Sequence, residues 1–268
     1  MWTDRTEILT GKEGLARLAA SRVMVVGLGG VGAVAAEMVA RAGVGSITIL
    51  DSDTVSETNI NRQIIALHST IGKDKTTVVA ERLLDINPEL KLTVVKTYLT
   101  ENNIPDILEK FLSTAPGAGD SGLSEDGNER TSTGKAFVID AIDTLAPKLA
   151  LIKYCVENGI ALVSSMGSGA KYDLTRIRIA DLSKSFNCPL AYIVRKKLRK
   201  MGISRGFKVV FSEELPDENA IVEMTAEEMA EVSNKKSQVG TISYMPAVFG
   251  CVCAQAVISR IAGLTENC

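Results

Sequence analysis

Short apolar runs separated by amphipathic stretches recur along the first two thirds of the chain. The runs at 22–26, 46–50, 91–96, 136–139 and 161–165 have the length and bounding residues of buried strands. Between them lie helical patterns at 31–42, 73–86, 104–111 and 145–158. Asn87-Pro88 stops the second of these and Gly159 the last. A short helix at 12–20 precedes the first strand. Strands alternating with helices predict an α/β fold with a doubly wound, mostly parallel sheet. Beyond Gly167 the pattern loosens into two further strands, 177–180 and 207–211, a basic helix, 190–201, and a closing apolar helix, 246–262. One domain, 1–268, is expected, with a Rossmann-like first half (1–165) and a second half (166–268) that extends the sheet. The segment 113–135 holds no apolar cluster and reads as a flexible surface insertion.

Composition narrows the setting. A net charge of −2 announces no global attraction for nucleic acid or membrane, so an RNA site has to be a local patch. The five cysteines form no CxxC pair, which argues against a zinc site and a disulfide framework and for a reduced, cytoplasmic compartment. No signal peptide is visible, and no apolar run looks long enough to span a bilayer.

The chemistry gathers around MVVGLGGVG. Gly27, Gly29 and Gly32 satisfy GxGxxG; the neighbouring Gly30 adds a fourth glycine. The first allows a tight turn, the second a close phosphate, and the third helix–strand packing. The following helix points its free N–H groups at an anion. Asp51 closes the second strand, where a carboxylate can bind ribose hydroxyls. Thus far a dinucleotide dehydrogenase and an ATP-dependent adenylating enzyme fit equally. The stretch DSDTVSETNINRQ then adds Asp53, Asn59, Asn61 and Arg62, and Lys75 opens the next helix. Cations such as Arg62 and Lys75 suit a triphosphate and have no task on NAD. The run DAID puts Asp143 at the carboxyl edge, where it can hold the Mg2+ of MgATP.

GLGGVG, DSDTVSETNINRQ, GKDKTTVVAERLLDINP and DAID together resemble the ubiquitin-activating-enzyme-like adenylating superfamily. The resemblance implies that Gly30, Asp51, Asn59, Arg62, Lys75 and Asp143 bind ATP and magnesium. It also implies that Arg5, in RTEILTG, is an arginine finger reaching into a partner subunit's site, and hence a homodimer. The catalytic set it gives is Arg62, Lys75, Asp143 and Arg5.

The second half, from SSMGSGAKYDLTRIRIADL through VRKKLRKMGISRGFKVVFSEE, with the closing SQVGTISYMPAVFG, is similar to the tRNA threonylcarbamoyladenosine dehydratases. That resemblance implies adenylation of the threonyl carboxylate of N6-threonylcarbamoyladenosine in tRNA, then intramolecular cyclisation with loss of water. It requires no protein thiol. Cys188 accordingly reads as structural, and Cys251 and Cys253 as small packed hydrophobes. The alternative is an adenylyltransferase for a ubiquitin-like sulfur carrier. The tRNA-binding candidates are Arg195, Lys196, Lys197, Arg199 and Lys200 on the basic helix, with Ile193, Val194, Leu198 and Met201 facing inward. Lys171 and Arg178 are weaker candidates for the substrate pocket, and Lys235 and Lys236 for a loop over the site. His68 reads as packed or surface. The sequence leaves open whether a monovalent cation or a cysteine-desulfurase/sulfur-acceptor system also binds.

Overall fold

The computed structural model describes residues 1–113, 136–223 and 237–264. Of the expected features, the insertion beyond Ser113, Lys235, Lys236 and Cys268 lie outside the described residues.

The helices are α1 (Asp4–Ala20), α2 (Gly32–Arg41), α3 (Lys75–Ile86), α4 (Ile104–Ser113), α5 (Leu145–Glu157), α6 (Pro189–Lys200) and α7 (Tyr244–Ala262). The strands are β1 (Arg22–Val26), β2 (Ser46–Asp51), β3 (Lys91–Lys96), β4 (Ala136–Asp140), β5 (Ala161–Ser165), β6 (Ile177–Asp181) and β7 (Lys208–Ser212), with a small pair, β8 (Ile221–Glu223) and β9 (Ser237–Val239). Seven strands form one sheet in the order β3-β2-β1-β4-β5-β7-β6. All neighbours are parallel except β6, which pairs antiparallel with β7. The second half therefore extends the same sheet. The central β1 is buried along its whole length, as a parallel strand covered on both faces must be.

Two apolar clusters cover the two faces. One gathers α2, α3 and α7 with Leu18 of α1; the other gathers α4, α5 and α6. The expected helix at 12–20 is the second arm of a longer element. α1 begins at Asp4 and kinks at Gly11, whose φ of 72° a side-chain-bearing residue rarely adopts.

α7 overturns one expectation. It is long and apolar enough, by length and composition, to cross a membrane. Here it is a core helix packed on α2, so close that a Cβ at Gly250 would sit 2.4 Å from the Val31 carbonyl oxygen. Arg17 of α1 ties down its far end, donating to the carbonyls of Ile261 and Ala262.

Candidate nucleotide site at the carboxyl edge of the sheet

Strand order reverses between β1 and β4, which opens a crevice beyond their carboxyl ends. The glycine-rich turn enters it from β1. Gly27 takes φ +88°, and a Cβ there would lie 2.9 Å from the Ala141 carbonyl oxygen. At Gly32 a Cβ would meet the Gly27 oxygen at 1.7 Å, so only glycine lets α2 start this close to β1. At Gly30 it would press on the Arg62 carbonyl and the Pro246 ring, both at 3.0 Å. Gly29 differs. The nearest atom to a Cβ there is Gln63 Nε2 at 3.7 Å, so the space above that peptide is open. A bare peptide at a helix N-terminus with open space above it fits a phosphate group.

The acidic end of β2 braces this turn. Asp51 Oδ2 accepts the Leu28 N–H at 2.6 Å, and its Oδ1 accepts the Asp53 N–H at 2.7 Å. Burial pushes the Asp51 carboxyl up, against the pull of Lys75 and of these two N–H groups. Lys75 is buried, and its Nζ lies 2.8 Å from Asp53 Oδ2. Asn59 is buried and accepts the Ser56 N–H on its side-chain oxygen. Arg62 Nη1 donates to the Thr58 carbonyl and to Asn61 Oδ1, both at 2.9 Å. Asn61 Nδ2 reaches the Thr241 carbonyl at 3.2 Å and ties this corner to the segment entering α7.

At β4, DAID holds two carboxylates in different environments. Asp143 is exposed at the crevice. Asp140 is fully buried, and its Oδ2 lies 2.8 Å from Lys148 Nζ and accepts Ser164 Oγ at 2.6 Å. Asp140 Oδ1 takes the Ile142 N–H, and Lys148 Nζ donates to the Ile142 carbonyl at 2.9 Å. This buried pair holds both backbone polar groups of Ile142, the residue before Asp143. Neither Lys148 nor Ser164 stands out in the sequence. A lysine inside a helical pattern reads as a solvated charge, and nothing in that pattern reveals the buried carboxylate at the end of the preceding strand. Gln63 does not stand out either. Its side-chain oxygen is buried without a hydrogen-bond partner among the described residues.

Gly27, Gly29, Gly30, Gly32, Asp51, Asp53, Asn59, Asn61, Arg62, Lys75 and Asp143 thus all belong to the carboxyl edge between β1, β2 and β4. The donor set fits MgATP: an open glycine peptide, two cations, and an exposed carboxylate of the kind Mg2+ takes once or twice alongside phosphate and water.

Other candidates lie apart. Thr3, just before α1, packs within 3.5 Å of a Cβ position at Gly43, which follows α2 at the amino edge of the sheet. Arg5 is therefore at the opposite edge from its own chain's glycine turn, roughly 15 Å away along the ten residues of α2. On α6 the buried stripe is Ala191, Val194 and Leu198. Ile193 and Met201 do not face inward as expected. Ile193 falls off the stripe, Met201 follows the last turn, and both are exposed. Lys196, Lys197, Arg199 and Lys200 are exposed, while Arg195 is half-buried and donates to the carbonyl and hydroxyl oxygens of Ser185.

Lys171 and Arg178 do not line a common pocket. Lys171 is buried, with Nζ on the carbonyls of Ser212 and Asn187, and burial lowers its pKa. Arg178 lies on the edge strand, paired with Glu213. Cys188 is buried against Gly167, and His68 is exposed. Cys253 is buried as expected, but Cys251 is exposed, because it falls on the outer face of α7.

An open α/β sheet with this phosphate cradle and cation pair defines a nucleotide-binding protein of the adenylating type. The chain belongs to the ThiF family, whose model matches residues 4–268. It is 40% identical over 261 residues to the tRNA threonylcarbamoyladenosine dehydratase of Bacillus subtilis, covering 97% of this chain and 89% of that one. It is 36% identical to the Escherichia coli enzyme of the same name over 74% of this chain and 66% of that one. The crystal structure of the E. coli tRNA N6-threonylcarbamoyladenosine dehydratase in complex with ATP superposes with a TM-score of 0.78 at 34% identity, covering 97% of this chain and 93% of that one.

Proposed function

We propose that this protein is an ATP-dependent tRNA threonylcarbamoyladenosine dehydratase. The observation that carries the reading is the convergence of the Gly29 cradle, Arg62, Lys75 and Asp143 on one crevice, in a chain similar along 97% of its length to an enzyme of that name.

The α-phosphorus of ATP is attacked by the threonyl carboxylate oxygen, and pyrophosphate leaves. The substrate's own urea group then attacks the acyl carbon, loses a proton and expels AMP, which carries away the carboxylate oxygen. The net loss is one water. Ring closure is intramolecular, so proximity supplies what a protein nucleophile would otherwise provide. The chain's task is to bind and orient charge. The Gly29 peptide and the α2 N-terminus receive phosphate, and Arg62 and Lys75 offset the charge that builds on the departing pyrophosphate. Asp143 would hold Mg2+, which when bound shields the phosphate oxygens. Asp51 keeps the turn closed through the Leu28 N–H.

Arg5 is too far from its own crevice to serve it, which supports a homodimer in which it completes the partner's site. The exposed cations of α6 suit the phosphates of tRNA. Cytoplasmic residence follows from a tRNA substrate.

The test is to incubate the protein with MgATP and tRNA carrying threonylcarbamoyladenosine, then digest mildly and weigh the nucleoside. The expected product is lighter by one water and appears with equimolar AMP. An unchanged nucleoside with no ATP consumed would overturn the reading.

A further inference from the structure

Two strands along the same edge from β4, a second hollow of about 330 Å3 opens beside α6. Its lining includes Phe186, Pro189, Tyr192, Arg195, Leu215 and Pro216. Large apolar side chains stand in water here: Phe186 is 46% exposed, Tyr192 57% and Leu215 68%. Contiguous exposed apolar surface of this kind marks a binding site more often than a bare surface.

The hollow is held rigidly. Asn187 takes a left-handed φ of 53°, tolerable for asparagine, and its Nδ2 donates to the Glu213 carbonyl at 2.8 Å. Buried Lys171 fastens both sides, bonding the Asn187 carbonyl and, at 3.0 Å, the Ser212 carbonyl at the end of β7. The Phe186 ring rests edge-on against Phe211, with centroids 5.6 Å apart. Arg195 is anchored to Ser185.

The surroundings select the occupant. Tyr192 shares a helix with Arg195, Lys196, Lys197, Arg199 and Lys200, and that helix carries no acid. None of the five cations forms an ion pair among the described residues. Lys196 and Arg199 lie four and seven residues beyond Tyr192, on its own face of the helix. An aromatic platform followed by cations on one face matches a base followed by its phosphates. The hollow also shares the carboxyl edge with the nucleotide crevice, about 10 Å away at two strand spacings.

We propose that the Phe186–Tyr192 hollow receives an unstacked base of the RNA substrate near the one being modified, with Tyr192 as its stacking platform. The inference rests on the tRNA reading above. Single-stranded loops splay bases onto aromatic side chains in this way, and duplexes cannot.

The experiment is fluorescence anisotropy of the full-length protein with a labelled anticodon stem-loop carrying threonylcarbamoyladenosine, and with a blunt duplex RNA. Tyr192→Ala is expected to weaken stem-loop binding about tenfold, the ordinary loss for one stacked base. Tyr192→Phe restores it. Duplex affinity and the salt dependence of stem-loop binding stay unchanged, because no phosphate contact is lost. Unaltered ATP affinity of the Ala variant shows that the fold is intact.

Equal stem-loop affinity in wild type and Tyr192→Ala would overturn the inference and leave the hollow to an apolar peptide. An equal loss on duplex RNA would overturn it too, since Tyr192 would then only shape the basic face. A wild-type protein that neither binds nor dehydrates the stem-loop would bring down the tRNA reading itself, and this inference with it.

Discussion

Lys75 Nζ lies 2.8 Å from Asp53 Oδ2, with the lysine side chain 7% exposed and the aspartate side chain 64% exposed. The pair is lopsided: a buried cation at the start of α3 reaches the crevice through a carboxylate that water already solvates. A phosphate oxygen competing for that ammonium displaces only a screened interaction. Lys75→Met is therefore expected to leave stability within about 1 kcal/mol, since Asp53 returns to water. It should raise the KM for ATP by about one to two orders of magnitude, the loss of a charge-assisted bond. Urea unfolding and pyrophosphate-release kinetics measure the two separately. A large loss of stability with an unchanged KM would assign Lys75 a structural task only.

Asp140 and Lys148 predict the opposite balance. Both are fully buried, and each binds the backbone of Ile142 as well as the other charge, Asp140 at its N–H and Lys148 at its carbonyl. Removing one partner strands the other in a water-free site, so Lys148→Met should cost about 3–5 kcal/mol in urea unfolding. Asp140→Asn combined with Lys148→Met should recover part of that loss, because no bare charge is left. If the double variant is less stable than Lys148→Met alone, the carboxylate is stabilised by Ser164 and the backbone without Lys148.

The contrast between these two lysines explains what could be read from sequence. The placement of the glycine turn, Asp51, Arg62, Lys75 and Asp143 along one sheet edge is legible because all of them fall at or just beyond the ends of strands that the pattern locates. The seven-stranded sheet is legible for a similar reason: its central parallel strands, β1, β2, β4 and β5, are largely apolar runs punctuated by helices. Lys148, Ser164 and Gln63 become distinctive only through their burial in the folded chain. Lys148 occupies a position in α5 that local patterning assigns to solvent, and only the register of β4 against β5 brings Ser164 to Asp140. Ile193 and Met201 are apolar yet exposed, because apolar identity alone does not fix burial. Their places on α6 fall outside the Ala191–Val194–Leu198 stripe. The first arm of α1 escaped notice because Gly11 interrupts the periodicity that makes the second arm visible.

Glu37 gives a prediction in pH. It is buried on α2, where it accepts from Arg41 and from Arg82 of α3. Burial alone raises its pKa, but the two arginines outweigh burial and hold it below its ordinary value of 4.5. A carboxyl lowered in the folded state contributes stability above the unfolded pKa and loses it as pH falls through the folded value. Glu37→Gln should therefore cost about 1–2 kcal/mol at pH 7, discounted because both arginines are half-exposed. The difference from wild type should shrink below about pH 4.5. Urea midpoints at the two pH values check this; a pH-independent difference would mean that packing, not charge, is lost.

The cysteines separate cyclisation from thioester chemistry. Burial pushes the thiols of Cys155 and Cys253 up to about 12. At pH 8 both should resist iodoacetamide in the folded protein, with Cys251 reacting slowly, since its thiol is also raised though exposed. Cys188 is buried against Gly167, and in the proposed reaction the substrate's own urea closes the ring. Cys188→Ser should retain turnover within about threefold, a near-isosteric change far from the scale of losing a nucleophile. A dead but folded Cys188→Ser protein would restore the carrier-protein alternative with its thioester step.

Arg5 and Arg62 allow a decisive mixing test. Arg5 opens α1 at the amino edge, and Arg62 sits at the carboxyl edge beside Gly30. Within one chain the two guanidinium groups cannot meet on one triphosphate. If Arg5 serves a partner's crevice, Arg5→Ala and Arg62→Ala homodimers each lack one cation at every site, and each should lose at least about a hundredfold in turnover, as for a transition-state charge contact. In a mixed dimer one crevice combines an intact Arg62 with the partner's intact Arg5. Equal mixing with free subunit exchange makes half the population heterodimers with one complete site each. Activity should then recover to about a quarter of wild type. Subunit exchange is followed independently with two differently tagged chains. Recovery to that level assigns Arg5 to the neighbouring site. Proven exchange without recovery would leave Arg5 a surface charge and confine each catalytic site to its own chain.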